Sequence, residues 1–88
     1  MIDCGLWKSR LANRLDREGH MVSFTSGGIR VELPDRRAID VDKWGRSYLF
    51  TEMTWDETGG LVSEENLADT ESESELVDIA TSLISNYE

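Results

Sequence analysis

The sequence predicts an α+β domain made of an N-terminal helix, an antiparallel meander of three to four strands, and a C-terminal helix packed on the sheet. Three observations predict it. Apolar residues recur with a helical period at both ends, they alternate with polar ones between Met21 and Trp55, and glycine and proline punctuate that alternation. With 88 residues the chain, residues 1–88, is a single domain that buries roughly 60 to 65% of its unfolded surface.

The first helix is expected between Gly5 and Gly19. The segment has good helix formers, no proline, and a glycine at its end suited to a left-handed C-terminal cap. At 100° per residue, Cys4, Trp7, Leu11 and Leu15 share one face, while Arg10, Arg14 and Arg17 form a stripe beside it.

Met21 to Leu33 reads as a hairpin closed by Gly27-Gly28, glycines being able to adopt the positive φ of a tight turn. Val22 and Phe24 share one face of its first strand, and Ile29, Val31 and Leu33 one face of its second. Pro34 to Arg37 breaks the pattern as a turn, and Ile39 and Val41 alternate with Asp40 and Asp42 in a third strand. After a turn at Lys43 to Arg46, residues Tyr48 to Trp55 make a fourth strand, in which Leu49, Met53 and Trp55 oppose Tyr48 and Phe50. A strand apolar on both faces needs two covers. Either the C-terminal segment covers Tyr48 and Phe50, or a partner does, with Trp44 at the rim of the patch.

Residues 56–74 carry a glycine pair, many acids and few large apolar side chains, so they read as an acidic linker or mobile arm, with at most one helical turn at Ser63 to Leu67. From Glu75 onward Leu76, Ile79, Ala80, Leu83, Ile84 and Tyr87 follow a 3.6-residue period, and Ser72 with Glu75 has the spacing of a capping box.

Charge divides the chain. Residues 1–50 hold nine Lys and Arg against seven acids, whereas residues 51–88 hold eleven acids and no base. Acids at the start of the last helix are favoured by its dipole, but that accounts for only part of the run. One cysteine allows no internal disulfide, one histidine allows no structural zinc set, and no apolar run exceeds three residues. Those features point to a cytoplasmic protein with no membrane contact.

Catalytic and cofactor motifs fail on inspection. Asp40-x-Asp42-x-Trp44-Gly45 begins like a calcium loop, but Trp44 falls where an oxygen ligand belongs and Thr51 where a bidentate glutamate belongs. Cys4 lies on the apolar helix face, and His20 reads as a turn or cap residue. Neither glycine pair precedes a helix with the lysine of a phosphate loop. No enzyme class, cofactor or metal is expected.

The leading expectation is a non-enzymatic domain that binds a basic partner, such as a nucleic-acid-binding protein or a toxin, through Glu52, Asp56, Glu57, Glu64, Glu65, Asp69, Glu71 and Glu73. A nucleic-acid-mimic inhibitor or an immunity-type protein, as bacteria and phages use, fits that physics. A second reading is an RNA- or DNA-binding module contacting phosphates through Arg10, Arg14, Arg17, Arg36 and Arg37, against which the net charge of −9 argues. A third is a homodimeric assembly subunit joined through the Tyr48 and Phe50 face.

Overall fold

The structure, a computed structural model, describes residues 6–87. Helix α1 (Leu6–Arg17) is followed by strands β1 (Val22–Phe24), β2 (Gly28–Leu33), β3 (Arg37–Trp44), β4 (Ser47–Trp55) and β5 (Leu61–Thr70). A 3-10 turn, Glu73–Glu75, then leads into α2 (Leu76–Ser85). The five strands form one antiparallel sheet in chain order, each paired with its sequence neighbour. Both helices pack on the same face.

Helix α1 presents Trp7, Leu11 and Leu15 to the sheet, as its period requires, and all three are buried. It ends in a Schellman motif: the His20 N–H donates to Leu15 O and the Gly19 N–H to Asp16 O, with Gly19 at φ 94°. His20 is therefore the capping residue expected. Cys4 lies outside the described residues.

Beside α1, helix α2 adds Leu76, Ala80 and Ile84, and between them the helices cover Ile29, Val31, Ile39, Val41, Tyr48 and Phe50. Each large apolar side chain removed from water there contributes about 1.5 to 3 kcal/mol. The helices run in the same direction, since Arg10 meets Glu73 at their starts and Thr81 donates to Glu18 further along both.

Tyr48 is only 4% exposed and Phe50 has no exposure, with the Trp7 ring edge-on to Tyr48 at 5.1 Å between centroids. The expected aromatic interface and the dimer seam through Tyr48 and Phe50 are thereby corrected: the chain's own helices fill that role. Only Trp44, 69% exposed beside the β3–β4 turn, remains available.

One turn differs from expectation. Gly27 and Gly28 do not adopt positive φ; Gly28 is instead a strand residue where two elements come too close for a side chain. A Cβ there would sit 1.7 Å from the Val41 carbonyl oxygen and 3.0 Å from the Trp7 ring. The turn is closed by Thr25, whose N–H donates to Gly28 O and whose Oγ1 accepts from the Gly28 N–H. In the β2–β3 turn the left-handed positions fall on Asp35 (φ 64°) and Arg36 (φ 60°).

The largest correction concerns residues 56–74. Leu61–Thr70 is not a linker and Ser63 to Leu67 is not helical; the segment is β5, folded back on β4 through a hairpin over 56–60. Tertiary pairing overrides a composition poor in β formers. The capping box also fails. Ser72 precedes a 3-10 turn of which Glu75 is the last residue; the Ser72 hydroxyl meets Ser74 and the Glu75 carboxylate accepts from Thr70.

Candidate partner-binding surface

Strand β5 is the long edge of the sheet. No further strand pairs with it among the described residues. Opposite β4 it sets Glu64 against Met53 and Glu65 against Glu52, with register shifts on either side of that paired stretch. The first shift turns both Leu67 and Ala68 toward the core, and the second leaves Leu61 and Val62 exposed at the hairpin end, Val62 at 63%.

The eight acids expected to form one binding surface separate into two groups. Glu52, Asp56 and Glu73 are used internally. Glu52 is half-buried on the helix-covered face and accepts a hydrogen bond from the Tyr87 hydroxyl, whose pKa is pushed up to about 12 by burial first and by that bond and the Glu52 charge next. Asp56 organises the hairpin turn. Its Oδ1 accepts from the Thr58 N–H, the Thr58 hydroxyl and the Gly60 N–H, which together hold the carboxyl below the usual carboxylate range, the Thr58 side chain most of all. Glu73 pairs with Arg10 at 2.7 Å.

Glu57, Glu64, Glu65, Asp69 and Glu71 are the second group, all exposed. None has a basic side chain within 4.0 Å among the described residues. They follow β5 from its hairpin to the turn before α2, an exposed run of carboxylates along the unpaired strand edge.

The five arginines of the nucleic-acid reading are also divided. Arg10 pairs with Glu73, Arg14 with Glu18 at 3.4 Å, and Arg37 lies over the Tyr87 ring at 5.7 Å. Arg36 stands apart in the β2–β3 turn.

Sequence reasoning missed the chemistry of the open sheet face. Arg30 forks onto Asp40 with bonds of 2.7 and 2.9 Å, and its guanidinium lies 4.9 Å from the Trp55 ring centre. The Asp40 bond holds the Arg30 proton more tightly than usual, while burial and then the Asp40 charge push the Asp42 carboxyl up. Alternating charges in β2 and β3 were the available signal, but only the register, Arg30 opposite Asp40, turns two wet faces into a partly buried ion pair. No group of three or more His, Cys, Asp or Glu side chains that could hold a metal ion occurs among the described residues.

Scans against protein-family models, curated proteins and solved structures find no match to this chain. No helix among the described residues is long and apolar enough to cross a membrane.

Proposed function

We propose that this is a non-enzymatic binding domain that uses the carboxylates of β5 to hold a basic segment of another macromolecule. The observation that carries the reading is the row Glu57, Glu64, Glu65, Asp69 and Glu71, exposed along a free strand edge and lacking any basic partner within 4.0 Å among the described residues. Those charges steer a cationic surface inward and repel a second copy of the same edge. Occupying the phosphate-binding surface of a nucleic-acid-binding protein or a basic toxin is the specific form of this activity, and the cytoplasm is the compartment in which it would act.

Peptide-library selection tests the reading. The whole domain as bait should enrich sequences rich in Lys and Arg, and an E64Q/E65Q/D69N variant should lose that enrichment while a D16N/E18Q variant keeps it. Absence of basic enrichment, or enrichment indifferent to the β5 substitutions, would refute it.

A further inference from the structure

The basic flank of α1 edges a cavity. Between α1 and the start of α2 lies an open groove of about 370 Å³, lined by Trp7, Leu11 and Val77 and edged by Arg10, Arg14 and Arg17. Its volume is at the low end of the range for small-molecule sites, about 300 to 1,000 Å³. Locally the charge is opposite to that of the whole chain: α1 carries four bases and one acid.

The groove already holds an anion of the chain's own. Glu73, at the head of the 3-10 turn, lines it and takes the Arg10 Nε hydrogen bond at 2.7 Å. That contact uses one of the three guanidiniums. Arg14 is only loosely engaged with Glu18 at 3.4 Å, and Arg17 has no carboxylate within 4.0 Å among the described residues.

We propose that this groove binds a small organic anion, a phosphate monoester or carboxylate carrying a compact apolar body. The anionic group sits between Arg14 and Arg17, where guanidinium forks suit planar or tetrahedral oxyanions. The apolar body lies along Val77 and the edge of the Trp7 ring that lines the groove. Glu73 competes for the neighbouring charge, so ligand and internal carboxylate share one arginine set. The site is separate from the β5 edge and does not depend on the function proposed for it.

Phenyl phosphate is the probe, titrated into the whole domain and followed by amide and indole NMR shifts. The expected result is saturable change confined to the Trp7 indole and to residues 10–17 and 73–77. An R14Q/R17Q variant should bind about tenfold more weakly, as loss of charge-assisted bonds implies. An E73Q variant, which removes the competing charge and leaves the helices intact, should bind about threefold more tightly. Inorganic phosphate should bind more weakly than phenyl phosphate. Equal binding of the two phosphates, no gain in E73Q, retention of affinity in R14Q/R17Q, or shifts scattered over the sheet would each overturn the proposal.

Discussion

The hydroxyl of Tyr87 donates its hydrogen to Oε2 of Glu52, tying the segment just past the end of α2 to the middle of β4. Glu65 stands opposite Glu52 in the sheet register, so this bond also satisfies one of two facing carboxylates.

Alkaline pH should loosen the fold through this bond. The folded-state pKa of Tyr87, about 12, lies above the ordinary tyrosine value of about 10. The protonated phenol therefore contributes its full stability below pH about 10, and that contribution is lost as pH rises toward about 12. Urea unfolding across that window should show the fall, and Tyr87→Phe should flatten it. The same substitution should cost about 1 to 2 kcal/mol at neutral pH, because Glu52 is left half-buried without its donor. In E52Q the tyrosine absorbance titration should move back toward the ordinary value.

Gly28→Ala should be severely destabilising. The added methyl meets the Val41 carbonyl oxygen, a backbone atom that cannot turn aside, and the Trp7 ring behind it. A loss of about 3 kcal/mol or more is expected, at the upper end of overpacking effects. Gly27→Ala provides the contrast, since there the nearest atom is the movable carboxylate of Asp42. Thermal unfolding of the two variants should separate them clearly.

Asp42→Asn should raise the melting temperature at neutral pH. Burial, and then the Asp40 charge, push the Asp42 carboxyl up, so the folded state holds this proton more tightly than the unfolded chain. The stability it contributes is present at low pH and lost as pH rises through the carboxylate range. The gain from the asparagine should therefore fade in acid. A gain that persists unchanged at low pH would assign the effect to something other than charge.

Arg36→Gly should stabilise the β2–β3 turn by about 0.5 to 1 kcal/mol, the left-handed strain of about 1 to 2 kcal/mol being partly offset by the greater freedom of glycine in the unfolded chain. Arg36 is held at φ 60° while its carbonyl accepts the Trp55 N–H. Chemical denaturation should show a higher midpoint with an unchanged slope.

Periodicity made both helices and strands β2 to β4 legible, because each has a buried side whose residues recur on schedule: Trp7, Leu11 and Leu15 on α1; Leu76, Ala80 and Ile84 on α2; Ile39 and Val41 on β3. β5 was not legible for the opposite reason. As an edge strand it buries little, and Ser63, Glu64, Glu65 and Asn66 look like a solvated arm until paired with β4. Cover for Tyr48 and Phe50 was open in the sequence, since a dry strand face says that something packs on it without saying what. The acidic surplus was legible as charge; that Glu52, Asp56 and Glu73 are consumed internally was not, because their partners Tyr87, Gly60 and Arg10 are fixed by turn geometry and helix placement.

The neighbour-to-neighbour order of the strands has a kinetic consequence. Every sheet pairing closes a short loop, so the meander can zip hairpin by hairpin at modest entropic cost. Docking α2 beside α1 is different, since Arg10 and Glu73 are separated by the entire sheet. That closure should therefore come after the hairpins, and substitutions at Leu76, Ala80 or Ile84 should act more on the unfolding rate than on the rate of sheet formation.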